Sequence, residues 1–233
     1  MHTSITTLGF DADDTLWHNE ELFQLTQQRF AELLADHAPK AHLEATLLEA
    51  ERRNLGQYGF GVKGFVLSMI ETALEVTEEK VPGKVISELI SAGQDMLNHP
   101  IKLLPGVEDT IRDLAPDFKM VVITKGDLLD QERKLAQSGL GEFFDGVEIV
   151  SNKTKEIYQS AFARYGTGPK AALMVGNSMK SDVIPAIEAG AWGVHVPYGL
   201  EWALEAAAPP SKASRFRTIQ ALNALPSLLS ALG

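Results

Sequence analysis

Three carboxylates fall within four positions of the stretch FDADDTLW, Phe10–Trp17: Asp11, Asp13 and Asp14, with Thr15 next. They follow directly on an apolar run, Ile5–Phe10. Acids crowded at the end of a strand repel one another, and a divalent cation offsets that repulsion well. The competing reading is an acidic turn, since Asp and Thr also favour turns and caps. In VVITKGD, Val121–Asp127, an apolar run delivers Thr124, and Lys125–Gly126 turn away from it. A hydroxyl beside free backbone N–H groups can cradle a phosphate oxygen. In SNKTKEIY, Ser151–Tyr158, Lys153 and Lys155 lie near a helix start. A cation there opposes the helix dipole but serves a bound anion. In MVGNSMKSDVIPAIEAG, Met174–Gly190, a strand ends in Gly176–Asn177–Ser178 and Asp182 opens a helix. Asp182 reads either as the cap of that helix or as a ligand or close partner of magnesium.

The elements that must position these residues are short apolar strands alternating with helices. Ile5–Phe10, Lys119–Ile123, Gly146–Val150, Ala172–Val175 and Gly193–Val196 are compact, partly β-branched and followed by polar or turn residues, as buried parallel strands are. Helical stretches near Val107–Leu114, Leu128–Ser138, Lys155–Tyr165 and Ser181–Ala189 alternate with the last four strands. That order predicts right-handed βαβ units and an α/β, doubly wound, Rossmann-like parallel sheet covered on both faces. Such sheets bind ligands outside the carboxyl ends of their strands. Asp11, Asp13, Thr124, Lys153, Asn177 and Asp182 all fall at predicted carboxyl ends, a coincidence that separate bland readings would have to produce four times.

The region from Asn19 to His99 contains no comparable strand. Asn19 is placed to cap a helix whose first turn carries Glu20 and Glu21, and Phe23, Gln27, Phe30, Leu33 and Leu34 give it an apolar face. Further helices are predicted over Leu43–Leu55, Phe65–Val76 and Lys84–Leu97, with the glycine-rich GQYGFGVKG between the first two. The expected organisation is a core formed by residues 1–17 and 100–233 and an inserted α-helical domain over 18–99. Glu205–Ser214 reads as a surface loop.

Bulk properties narrow the function. The formal net charge of −10, from 31 acidic and 21 basic residues, offers no positive field to a polyanion. Nucleic acid and acidic membranes are therefore not the expected partners. A small phosphorylated molecule needs only a local cationic pocket. The chain has no cysteine, which removes disulfide, thiolate and zinc–thiolate chemistry. No signal-peptide pattern or bilayer-length apolar run is present, and a soluble cytoplasmic protein is the expectation.

The succession FDADDT, ITKG, a lysine and VGNSMKSD resembles the four motifs of the haloacid dehalogenase superfamily, phosphatase branch, from Ile5 to about Pro197. The insert resembles that family's helical cap. The resemblance implies a magnesium-dependent phosphomonoester hydrolase that works through a phospho-aspartate. Asp11 would attack phosphorus, and Asp13 would protonate the leaving group and then deprotonate the hydrolytic water. Thr124, Lys125 and Lys153 would bind the phosphate, with Lys155 in reserve for Lys153 because the usual Lys-Pro-x-Pro spacing is absent. Mg2+ would be held by Asp11, the Asp13 backbone carbonyl, Asn177 and Asp182. Asn177 stands where phosphatases of the family more often carry aspartate, and Asp14 is expected to cap the following turn.

Two rivals use the same fold. A metal-independent 2-haloacid dehalogenase would attack carbon, and Asp13 argues against it because dehalogenases of the family lack that aspartate. A phosphomutase would use the same residues as the phosphatase. A non-catalytic binding module would leave clustered carboxylates uncompensated, which destabilises a fold that holds no metal.

Overall fold

The computed structural model describes residues 4–232. They form two compact units. The first comprises the described residues up to Glu20, Ile101–Lys125 and the chain from Gln131 onward. The second comprises Glu21–Pro100 with Gly126–Asp130.

The first unit is built on six parallel strands in the order β3-β2-β1-β4-β5-β6. These are β1 (Thr7–Phe10), β2 (Lys119–Lys125), β3 (Gly146–Val150), β4 (Ala172–Gly176), β5 (Trp192–His195) and β6 (Phe216–Thr218). The sheet alternates strictly between two cores, as the two-residue period of strands requires. Leu8, Phe10, Met120, Val122, Leu173 and Val175 face one core, with Val107, Ile111 and Leu114 of α5 (Val107–Leu114) and Leu225 and Leu229 of α9 (Leu225–Leu232). Val121, Ile123, Ala172 and Met174 face the other, with Tyr158, Ala161 and Phe162 of α7 (Lys155–Tyr165) and Ala186 and Ala189 of α8 (Ile184–Ala189). Gly9 has no side chain because one would meet Met174 and the Phe162 ring at 3.0 Å. Both sheet faces are therefore covered, and ligand access is left to the carboxyl edge.

The expected strands are all present, with shifts of a few residues at their ends. β6 adds a sixth that the sequence reading missed, being a three-residue edge strand. In place of a helix from Ser181, one turn of π-helix spans Met179–Val183 before α8 begins. Pro185 explains this. It has no N–H to give the Ser181 carbonyl, and that carbonyl accepts the Tyr158 hydroxyl instead, at 2.9 Å.

The second unit carries α1 (Glu20–Leu33), α2 (Lys40–Tyr58), α3 (Val62–Val76) and α4 (Gly83–Asn98). Phe30, Leu34, Leu43, Leu47, Phe65, Met69 and Leu89 form its own core. The remaining helix, α6 (Leu128–Ser138), follows β2. Among the described residues no helix is long and apolar enough to cross a membrane.

Candidate active site

Beyond Phe10 the chain cannot continue as strand, because the carbonyl of Ala12 is already taken by the amides of Thr15 and Leu16 at 3.2 and 2.8 Å. The resulting turn buries Asp11 at the sheet's carboxyl edge, where its N–H donates to Val175 O at 2.9 Å. It also places Asp14 at φ 62°, a left-handed conformation that Asp tolerates better than most residues. The Asp14 carboxylate accepts from the amides of Asn19 and Glu20 at 2.8–3.1 Å and so caps α1. Asn19, the residue expected to cap this helix, instead accepts a hydrogen bond from Lys134 at 2.8 Å. Asp14→Ala should destabilise the protein by about 2–3 kcal/mol, from a lost cap and a strained left-handed alanine. Denaturant midpoints would check this, and Asp14→Gly, which relieves only the strain, should fall between alanine and wild type.

The centre of the site is a buried triad of charges. Lys153 Nζ contacts Asp11 Oδ1 and, at 2.6 Å, Asp182 Oδ1. The other oxygen of Asp182 accepts from Ser178 N at 2.9 Å. Asp182 is therefore not the cap expected of it: it lies inside the π-helical turn, whose cap is Ser178, the Ser178 hydroxyl accepting from Ser181 N at 3.0 Å. Gly176 is required here, since a Cβ would lie 2.2 Å from Asp182 Oδ2. Two carboxylates share one ammonium, so burial and the neighbouring Asp182 push Asp11 above the usual carboxylate range although Lys153 opposes them. Lys153 is held above the usual lysine range: burial disfavours its charge, and the two aspartates more than offset that. Lys155, by contrast, is the exposed first residue of α7.

Asp13 lies two residues from Asp11 and is held by three side chains. Trp17 Nε1 donates to it at 2.7 Å, Gln131 Nε2 at 2.8 Å, and Lys134 Nζ to both its oxygens at 3.0 and 3.2 Å. Thr15 Oγ1 lies within hydrogen-bond distance of Asp11 Oδ2 at 3.2 Å and of Asn177 Oδ1 at 3.4 Å, which brings the ends of β1 and β4 together. The same hydroxyl accepts from Asn177 N at 3.1 Å. Thr124 is buried at the end of β2. Lys125 turns to Ser181 Oγ at 2.8 Å and Glu205 Oε1 at 2.7 Å.

Several of these partners escaped the sequence reading. Glu205 begins the stretch expected as a surface loop, yet it is mostly buried and its second oxygen accepts from Ser178 and Ser181 at 2.7 and 2.5 Å. Burial opposes its charge, but Lys125 and the two serines hold it below the usual glutamate range. Tyr198, considered for the rim, contacts His18 Nδ1 through its hydroxyl at 2.7 Å. Gln131 and Lys134 lie three apart on one face of α6. Nothing local in the sequence separates them from the solvent-facing polar residues of an ordinary helix.

Among the described residues no three acidic or histidine side chains converge as a metal cage. The oxygens present suit a smaller demand. Asp11 and Asn177 both face the Thr15 hydroxyl, and the buried triad sets two carboxyl groups against one ammonium. Mg2+ is commonly bound by one or two carboxylates while keeping several waters, so this donor set fits it.

A parallel α/β sheet with paired aspartates after its first strand and a buried lysine beside them defines a class of hydrolase. Residues 5–190 match the haloacid dehalogenase-like hydrolases, and the chain belongs to that family. A haloacid dehalogenase-like hydrolase from Xanthomonas campestris has 35% sequence identity and a TM-score of 0.87, over 98% of this chain and 92% of that one. A glyceraldehyde 3-phosphate phosphatase from Methanothermobacter thermautotrophicus is 29% identical over 78% of this chain and 80% of its own length. An L-2-haloacid dehalogenase from Xanthobacter autotrophicus shares the fold, with a TM-score of 0.68 at 18% identity over 98% of this chain and 100% of that one.

Proposed function

We propose that this hydrolase is a phosphatase acting on a small phosphorylated metabolite through a phospho-aspartate at Asp11. The observation that carries the reading is Asp13. A second carboxylate stands two residues from the buried Asp11, with its oxygens held by Trp17, Gln131 and Lys134. Attack on carbon needs no such acid; cleavage of a phosphate ester does, because an alkoxide leaves poorly without a proton. The phosphatase relative at 29% identity supports the same choice.

In the first step an Asp11 oxygen bonds to phosphorus and the ester P–O bond breaks. Its electron pair goes to the leaving oxygen, which takes a proton from Asp13. In the second step Asp13 removes a proton from water, the water oxygen bonds to phosphorus, and Asp11 is released with inorganic phosphate. Using a fixed carboxylate as nucleophile replaces a poorly oriented water in the harder step. Lys153 and the Thr124 hydroxyl would stabilise the phosphoryl oxygens as charge develops, while Lys125, neutralised by Glu205, would hold Ser181 in place. Asp11, Asn177 and the Asp13 carbonyl would hold Mg2+, with Asp182 acting on the site through Lys153. The cation supplies shielding between an anionic nucleophile and an anionic substrate. The helical unit would serve as the cap that selects the substrate.

Phosphate release from p-nitrophenyl phosphate should require Mg2+ and stop in excess EDTA. Activity unaffected by EDTA would contradict the metal assignment. Dechlorination of 2-chloropropionate without phosphate release would replace the reading by the dehalogenase one. Glyceraldehyde 3-phosphate belongs on the subsequent substrate panel.

A further inference from the structure

Lys134 and Gln131 have no part in the motifs from which the site was assembled, yet both reach it. Lys134 is a buried cation on α6, and its ammonium contacts three oxygens: Asp13 Oδ1 at 3.0 Å, Asp13 Oδ2 at 3.2 Å and Asn19 Oδ1 at 2.8 Å. Gln131, one turn earlier on α6, donates from Nε2 to Asp13 Oδ2 at 2.8 Å and to Lys125 O at 3.0 Å. Its Oε1 is buried with no hydrogen-bond partner. Turning the amide over would set oxygen against the oxygens of Asp13 and Lys125, so the orientation is dictated by what it donates to, at the expense of its own acceptor. With Trp17 Nε1 at 2.7 Å, four contacts from three side chains converge on a carboxylate that is itself only partly buried. A short aspartate otherwise free to change rotamer is thereby fixed in position.

We infer that Lys134, assisted by Gln131, is the positioning residue for Asp13, and that it sets how well the enzyme expels leaving groups that need a proton. This deepens the phosphatase reading and rests on it. Proton delivery by a placed acid is worth ~10²–10⁴-fold and depends on geometry. The effect therefore falls on the step in which the ester bond breaks and the departing oxygen takes the Asp13 proton. A nitrophenolate departs without that proton, whereas an alkoxide does not.

The test compares kcat/KM for p-nitrophenyl phosphate and glycerol phosphate, with Mg2+, in wild type, Lys134→Met, Lys134→Arg and Gln131→Leu. Lys134→Met should lose roughly 100-fold on glycerol phosphate and at most a few-fold on p-nitrophenyl phosphate. Lys134→Arg should recover most of the loss, and Gln131→Leu should show the same selectivity to a smaller degree. Equal losses on both substrates, or none on either, would overturn the inference. Should Lys134→Met fail to fold, Gln131→Leu carries the comparison with the same two outcomes. A wild-type chain that releases phosphate from neither substrate overturns the phosphatase reading itself, and this role with it.

Discussion

Asp11→Asn should keep the fold and lose turnover by on the order of 10⁴-fold or more, as removal of a covalent nucleophile does. The amide has the shape of the carboxylate: its oxygen can still receive the Lys153 ammonium while its NH2 donates to the Thr15 hydroxyl, but it is no nucleophile toward phosphorus. Stability should move in the opposite direction to activity. The native pKa of Asp11 is raised above its ordinary value by burial and by Asp182. The metal-free folded state therefore holds a proton that the unfolded chain has already lost, and stability falls as pH rises through that window. The asparagine variant escapes this fall. In EDTA it should melt above wild type near pH 8, with the difference shrinking toward pH 4. A variant that turns over at near wild-type rate, or melts below wild type at every pH, would contradict the assignment of Asp11.

The second large effect is expected at Lys153. Lys153→Met leaves Asp11 and Asp182 buried side by side without their shared cation. Breaking a buried pair by removing one partner costs about 3–5 kcal/mol, because the charge left behind has lost both water and its counter-ion. The lysine's own titration is not the cause: its native pKa is raised, so its contribution is complete below the unfolded lysine pKa and lost only far into the alkaline range. The pH dependence comes from Asp11. At low pH Asp11 takes up its proton and the deficit is small. At pH 8 Asp11 must stay charged beside Asp182 without a counter-ion, or hold a proton against the solvent. Denaturant unfolding in EDTA should show a deficit near pH 8 well above that near pH 5. Activity should fall with it, since the same ammonium faces the phosphoryl oxygens. Lys155→Met, at an exposed position, should change neither quantity.

Most of the sheet was legible because β1, β2 and β4 are buried on both faces and read as unbroken apolar runs. Their carboxyl ends then located the candidate residues without knowledge of any side-chain contact. What escaped had no local pattern to betray it. Glu205 lies 80 residues from Lys125, and its run of alanines and prolines carries no sign that one carboxylate turns inward. Lys134 looks like any helix-surface lysine until its partner, 121 positions away, is known. Asp14 and Asn19 were both plausible caps. The left-handed turn that gives the role to Asp14 follows from how Ala12 closes the loop, which spacing alone does not encode. The π-helical turn before α8 could have been read from Pro185, whose missing N–H interrupts the helix at the point where Asp182 must face Lys153.

The most direct test is to quench the wild-type enzyme during turnover of p-nitrophenyl phosphate with Mg2+, and to map the quenched chain by peptide mass spectrometry. A phosphoryl group on the peptide carrying Asp11, absent from Asp11→Asn and converted to homoserine by borohydride, is the predicted result. Active enzyme that never carries a phosphoryl group at Asp11, even when quenched at saturating substrate within a single turnover, would contradict the covalent mechanism.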